Sequence, residues 1–244
     1  MSYRSGKIFV YLTFSREVKL REPKAVMGVD LNFNNATYTI VDLNGSLVSM
    51  GVIPFRGLGR ALHLKRPAEE LQRRYPKSWR FLRWVRRARN ILTDSSHHIA
   101  KRLVEIAKEY SAVIAFEDLE KLKERANGGK LSWELQLWCY RRIQSFVECK
   151  ALAEGIKVVY VDPRGTSRTP PNGKPLVFIN YRFVKLGDAT TTRDAITSWN
   201  LALRGLRRMR GSRVKWSPDS PRGEAMTPRA KRGNPGGMFT GIHR

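Results

Sequence analysis

Residues 25–32 read AVMGVDLN and residues 111–119 read SAVIAFEDL, and these two stretches decide the fold. In each, four apolar residues run into an acid: VMGVD at Asp30 and VIAFE at Glu117. A continuous apolar run is what a central strand needs when both faces of its sheet are covered. An acid ending such a strand stands at the rim of the core, where an unpaired charge is costly. A divalent cation removes that cost, and Mg2+ prefers carboxylate oxygens. If the two strands are neighbours, their terminal carboxylates come close together, an arrangement suited to two-metal hydrolysis of phosphodiesters. Each acid alone also fits a plainer role, Asp30 as a turn cap and Glu117 as the exposed end of a strand. Asp118 competes with Glu117. Glu117 directly follows the last buried residue, whereas Asp118 suits a cap of the next turn, so Glu117 is preferred.

Working outward, residues 36–43 (ATYTIVDL) and 46–53 (SLVSMGVI) are strand-like, with Asn44-Gly45 as a tight hairpin turn between them. Together with residues 25–32 they form a meander. Upstream, residues 7–14 (KIFVYLTF) read as one strand followed by a basic linker, making 1–24 a remnant ahead of the domain. Leu58 to Tyr110 is Arg-rich and helical in pattern, with Asp94 or Ser95 placed to cap a second helix ending near Tyr110. Leu131 to Gly155 is an amphipathic helix with Gly155 as its stop. Residues 156–163 (IKVVYVDP) are a fifth strand, and 163–175 (PRGTSRTPPNGKP) a loop. Two short strand-like pieces, PLVFINY and YRFVKLG, precede a last helix from Asp194 to about Arg210. A meander followed by alternating helices and strands is the element order of an α/β, RNase H-like mixed sheet flanked by helices. Residues 211–244 are rich in Pro, Gly, Ser and basic residues without periodicity, and read as a disordered basic tail.

Charge bounds the partners. The chain carries 46 Lys and Arg against 21 Asp and Glu, a net charge of +25. That excess repels itself unless a polyanion neutralises it, and phosphate backbones are the commonest such partner. Arg73, Arg74, Arg80, Arg83, Arg86, Arg87 and Arg89 interleave with Trp79, Phe81 and Trp84. The arginines are expected to contact nucleic-acid phosphate and the aromatics to lie in the core. Cys139 and Cys149 fall on one helix, poorly placed to pair and too few for a zinc site, and read as semi-buried core thiols. His97 and His98 read as surface or packing residues. With no signal peptide and no membrane span, a cytoplasmic, nucleoid-associated protein is expected.

In TTTRDAITSWNLALRGL (190–206), Ile196, Trp199, Leu203 and Leu206 make one helical stripe. Asp194 lies in the first turn, where any acid favours the helix dipole, and on that ground alone it is an ordinary first-turn residue. The segments MGVDLNFNN, IAFEDL, YRRIQSFVECKALAEGIKVVYVDPRGTS and RDAITSWNLA together resemble a known family. It is the RuvC-type nuclease portion of the TnpB (OrfB) transposon-associated proteins, relatives of the type V CRISPR effector nucleases. The similarity spans about 25–210. It implies a RuvC-like domain there, with Asp30, Glu117 and Asp194 as catalytic, metal-holding carboxylates, and Asn200 at a recurrent family position. It further implies Mg2+ (or Mn2+) as cofactor, DNA as substrate, and cutting directed by a guide RNA.

Two departures from the family pattern matter. Between the TS motif and Asp194 the family carries a four-cysteine zinc ribbon, whereas 166–193 here contains no cysteine. Pro170, Asn172 and Leu186 stand near the expected thiolate positions, so no zinc is expected, and packing by Phe178, Tyr181 and Phe183 is expected in its place. The family's N-terminal half is represented only by a last strand before Ala25, so a separate chain is expected to supply it. Three readings follow: a Mg2+-dependent endonuclease of transposon origin, a DNA- or RNA-binding relic or regulator impaired in cleavage, and a ribosomal-type protein. The third explains the charge and leaves the strand-end acids unexplained; the second has no need of them.

Overall fold

The computed structural model describes the chain except for residues 1, 5–6, 11, 13–14, 77–78, 119–129 and 212–244, with the backbone alone at 2–4, 7–9, 65 and 130–139. The expected disordered tail falls on 212–244, outside the described residues. At the start, β1 (Ser2–Arg4) and β2 (Lys7–Phe9) form a short antiparallel hairpin. Of the expected strand over 7–14, Lys7–Phe9 are in strand and Val10 and Leu12 are not, while residues 11 and 13–14 lie outside the described residues. The following linker runs beside the end of a later helix, where the Arg16 and Arg21 side chains donate to the carbonyls of Ala153 and Glu154 at 2.8 and 2.7 Å.

The body is a five-stranded mixed sheet. Its strands are β3 (Ala25–Leu31), β4 (Asn35–Asp42), β5 (Leu47–Pro54), β6 (Ala112–Glu117) and β7 (Val158–Val161), in the spatial order β5-β4-β3-β6-β7. The meander is antiparallel, while β6 and β7 run parallel to β3. The turn at Asn44-Gly45 forms as expected. Gly45 adopts φ 93°, a left-handed conformation that glycine takes at little cost, and Asp42 Oδ1 accepts the amides of Asn44 and Ser46.

The helices among the described residues are α1 (Leu58–Arg74), α2 (Arg80–Glu109), α3 (Lys130–Ala153) and α4 (Arg193–Gly211); α2, α3 and α4 pack on the sheet, and α1 packs on α2. No break occurs at Asp94 or Ser95; α2 is one 30-residue helix. It contains neither Gly nor Pro, and its buried stripe (Leu92, Ser96, Ile99, Leu103, Ile106) runs across the proposed boundary without a phase change. Neither side chain expected to cap does so: Asp94 faces His98 at 3.9 Å and Ser95 Oγ is buried without a hydrogen-bond partner, while the neighbouring Ser96 Oγ donates to the Leu92 carbonyl at 2.7 Å. One turn back, α1 keeps Pro67 in its interior.

Strand parity sorts the core into two layers, because successive side chains on a strand point to opposite faces. Met27 and Val29 of β3, with Ile114 and Phe116 of β6, pack against Ile99 and Leu103 of α2 and Ile143 and Val147 of α3. Val26, Val113 and Ala115 point the other way, against Ala202 and Leu206 of α4. Each large apolar side chain buried in this manner contributes about 1.5–3 kcal/mol. Beyond the sheet, β8 (Leu176–Phe178), β9 (Phe183–Leu186) and β10 (Ala189–Thr192) make a small antiparallel sheet. The third of these strands was not anticipated from the sequence, whose ATTT segment carries no large apolar residue.

Candidate active site

On β3, Val26, Gly28 and Asp30 share the face covered by α4, and on β6 Val113, Ala115 and Glu117 share the same face. The strands pair in parallel, with Val29 beside Phe116 as the final pair of the ladder. Asp30 and Glu117 are the next residues along, at adjacent strand ends. The apolar runs thus place two acids together because equal lengths of each strand are buried before the charge begins.

Asp194 arrives from α4. This helix packs unusually close to the sheet, and two glycines permit it. A Cβ on Gly28 would stand 2.1 Å from the Ser198 carbonyl oxygen and 2.3 Å from the Ala202 amide nitrogen. A Cβ on Gly205 would stand 2.7 Å from that of Ala115. Contacts this short do not exist in real structures, so glycine is required at both places. A buried hydrogen bond between Thr39 and Ser198 hydroxyls (2.7 Å) ties the helix to β4. The N-terminal turn of α4 then stands at the sheet end occupied by Asp30 and Glu117.

The electrostatics bring both other acids within reach of Asp30. Asp30 is only 8% exposed, and its pKa is pushed well above the ordinary 3.8. Burial is the largest cause, the charges of Glu117 and Asp194 add to it, and a hydrogen bond from Asn32 Nδ2 to Oδ2 (3.0 Å) opposes it. Glu117 is likewise raised by burial, against a hydrogen bond from Thr166 and the charge of Arg204. Asp194 is raised by burial, against Arg182 and Arg193. Among the described residues, no three acid, His or Cys side chains close into a ready-made metal cage. The charges of the other two carboxylates reach Asp30, but the three do not close into shared coordination.

A second tier of residues supports the acids, and of these Gln144 and Arg204 carry no signal in the sequence. Asn200 Nδ2 donates to the carbonyls of Thr166 (2.8 Å) and Thr169 (2.7 Å), fixing the loop that sets Thr166 beside Glu117, with the Thr166 hydroxyl donating to the Pro163 carbonyl at 2.9 Å. Arg204 does the same for the preceding loop, binding the carbonyls of Asp162 (2.5 Å) and Arg164 (2.7 Å). Gln144 Nε2 donates to the Glu117 carbonyl at 3.1 Å. These partners lie 27 to 87 residues away in the chain, so no local pattern announces them. Thr166 was legible only as part of the TS motif, and Asn200 only as a family position.

Several expectations require correction. Phe178, Tyr181 and Phe183 do not form a core; they are exposed, Tyr181 by 89%. The small sheet is instead seated by Val184 and Leu186 against Ile196 of α4, with Leu176 and Trp199 beside them. Trp79 and Trp84 are also exposed, by 72% and 41%, and Phe81 is half-buried, so these aromatics are not core. The apolar face of that stretch is carried instead by Ala61, Leu64, Ala88 and Leu92 between α1 and α2. Cys149 is exposed, not semi-buried, and the side chain of Cys139 lies outside the described residues. His97 stacks on Phe146 at 3.7 Å, a packing role as expected.

The seven arginines are all exposed, Arg73 and Arg74 on the last turn of α1 and Arg80, Arg83, Arg86, Arg87 and Arg89 on the first half of α2. Arg74 pairs with Glu70 at 2.7 Å. Neither helix carries any of the three acids. Among the described residues no helix is long and apolar enough to cross a membrane.

No family model matches the chain. A TnpB-like protein of Methanocaldococcus jannaschii is 27% identical over 204 residues, covering 79% of this chain and 73% of that protein. The CRISPR-associated endodeoxyribonuclease Cas12f2 of a Micrarchaeota archaeon is 36% identical over 83 residues, 32% of this chain and 15% of the other. Among solved structures, the Cas12f1 chain in a cryo-EM complex with sgRNA and target DNA superposes with a TM-score of 0.57 at 14% identity, over 76% of this chain. This chain spans about half (51%) of the length of that Cas12f1 chain.

Proposed function

Because this chain is a homologue of the TnpB-like proteins with the α/β, RuvC-like fold of Cas12f, we propose that it is a divalent-metal-dependent endonuclease acting on DNA, with Asp30, Glu117 and Asp194 as its metal ligands. The observation that carries the reading is the convergence of three carboxylates, from two strand ends and one helix start, on one face of the sheet. Burial keeps the proton affinity of all three high, the charges of Glu117 and Asp194 add to it at Asp30, and a bound cation would stabilise the ionised forms.

The donor set fits Mg2+ or Mn2+: hard carboxylate oxygens without thiolate or imidazole. When bound, paired ions of this kind activate water and neutralise charge at the phosphate. The protein's own contribution is orientation. Asn32 takes up one lone pair of the Asp30 carboxylate, and Asn200 holds in place the loop that sets Thr166 beside Glu117. Such outer partners commonly set metal affinity.

DNA as substrate is supported by the +25 charge and by the endodeoxyribonuclease relative. The exposed arginines of α1 and α2 are proposed phosphate contacts. A guide RNA and a second chain supplying further parts are proposed partners, on the strength of the larger Cas12f1 assembly. A transposon setting follows from the TnpB-like relatives.

The test is cleavage of labelled single-stranded DNA in Mg2+ or Mn2+, alongside Mg2+-dependent melting. The wild type is expected to cut, and Asp30→Ala to lose about a thousandfold of rate, the several kcal/mol that metal assistance supplies. Mg2+ should raise the melting temperature of the wild type and not of the variant. Equal cutting by both proteins, or DNA binding without metal-dependent cutting by the wild type, overturns the nuclease reading in favour of a binding protein.

A further inference from the structure

Arg193 opens α4 immediately before Asp194. Its guanidinium lies over two rings of the hairpin joining β8 and β9, 5.7 Å from the centroid of Phe178 and 5.2 Å from that of Tyr181. Both distances are within cation–π range. Nη1 donates to the Tyr181 carbonyl at 3.2 Å, and Nη2 reaches Ser167 Oγ at 3.5 Å. The Arg193 amide donates to the Arg182 carbonyl at 3.0 Å. Its Nε is buried without a hydrogen-bond partner, the cost of drawing the group into this position. One residue therefore touches the hairpin tip, the loop that carries Thr166, and the helix turn that carries Asp194.

Val184 and Leu186 seat only the base of the hairpin. Toward the tip, Val177, Phe178, Ile179 and Tyr181 are each about half exposed or more and bury little against one another. No cysteine occurs after Cys149, so thiolate coordination of a metal cannot fasten this segment. Among the described residues, the side-chain contacts on the tip come from Arg193, beside its backbone bond to Arg182.

We propose that Arg193 is a positioning residue, a cationic clip that binds the hairpin and the Thr166 loop to the first turn of α4 and thereby fixes Asp194 at the carboxylate site. The proposal rests on the reading of Asp194 as a metal ligand. The planar guanidinium is essential to it: stacking on two rings while donating sideways to a carbonyl needs a flat fork of donors, which lysine lacks. A purely electrostatic role, by contrast, would be served equally well by lysine.

The experiment compares wild type with Arg193→Lys, Arg193→Gln and the double variant Phe178→Ala, Tyr181→Ala. It reads backbone hydrogen exchange over residues 176–186 and apparent Mg2+ affinity from the melting shift. All three variants should lose hairpin protection while the amides of β3 and β6 stay protected. Mg2+ affinity should fall about tenfold in Arg193→Lys as well as in Arg193→Gln, in the range seen when a metal ligand loses its outer support. A lysine variant equal to wild type in both readings overturns the clip, because charge alone then suffices. A loosened hairpin with unchanged Mg2+ affinity overturns the positioning role. If the β3 and β6 amides also lose protection in the Arg193 variants, the surface double variant decides, and an unloosened hairpin there overturns the proposal. A wild type without any Mg2+ shift sinks the metal reading of the carboxylates instead. The exchange arm then still judges the clip, which fails if Arg193→Gln keeps full protection.

Discussion

The two faces of the central sheet are made by the same strands and do opposite things. Toward α2 and α3, Met27, Val29, Ile114 and Phe116 form a continuous apolar layer with no acid in it. Toward α4, the alternate residues of the same strands run Val26, Gly28, Asp30 and Val113, Ala115, Glu117. They begin as core and end as charge. The first face supplies the stability that holds a costly cluster of acids in place on the second. The difference is carried by single-residue parity, so a one-residue slip of β3 would bury Asp30 among the aliphatics and turn Val29 toward the site.

That comparison can be broken most forcefully at Gly28. Gly28→Ala puts a methyl 2.1 Å from the Ser198 carbonyl, so α4 must lift away. A destabilisation of about 3 kcal/mol is expected from such overpacking. Cleavage by the protein that remains folded should also collapse, because Asp194 leaves with the helix. Retention of activity at wild-type level per folded molecule would show that α4 does not deliver a ligand.

The opposite face offers the control. Met27→Ala should cost about 3 kcal/mol by opening a cavity, measured by chemical denaturation. Its cleavage rate per folded molecule should stay near wild type. A large rate loss would mean that the two faces are not separable.

A smaller effect concerns pH. All three acids have native pKa values raised above their unfolded ones, so the stability they contribute is greatest below the ordinary carboxylate range. That stability is lost as pH rises through the native values. Without metal, the melting temperature should fall as pH climbs from about 4 toward neutrality, where an unfolded carboxyl has already ionised. Asp30→Asn should flatten the fall, and Mg2+ should reverse it. A wild-type profile that rises over this interval in chelator would show that the acids are not crowded.

The mildest prediction is Ser198→Ala, which removes the buried hydroxyl pair with Thr39 (2.7 Å). About 1 kcal/mol should be lost, read from the denaturation midpoint, with little change in cleavage.

Much of this was legible in the chain itself. The apolar runs before Asp30 and Glu117, the Asn44-Gly45 turn and the alternation after the meander led to the α/β class and the strand set. Buried strands write their burial into consecutive residues. The boundaries of α2 were misread because Asp94 and Ser95 look like caps, and a cap signal is only local. The uninterrupted stripe beneath it decided the helix. The aromatics of the hairpin and of α2 misled for a related reason: a ring in a sequence carries no record of whether a partner exists to cover it. Gly28 and Gly205 passed as ordinary small residues until the helix backbone was seen against them.

For the three carboxylates, the sequence alone determined Asp30 and Glu117 as strand-end acids, since each sits where a buried run stops. Asp194 was, by its own neighbours, an ordinary first-turn acid, set apart only by family resemblance. Which face of the sheet the last helix covers, and hence whether Asp194 meets the other two, was decided by tertiary packing. The reason is physical: helix approach depends on the absence of a Cβ at Gly28 and Gly205, on a hydroxyl pair 159 residues apart in sequence, and on loops pinned by Asn200 and Arg204. None of these contacts leaves a periodic signal in the chain.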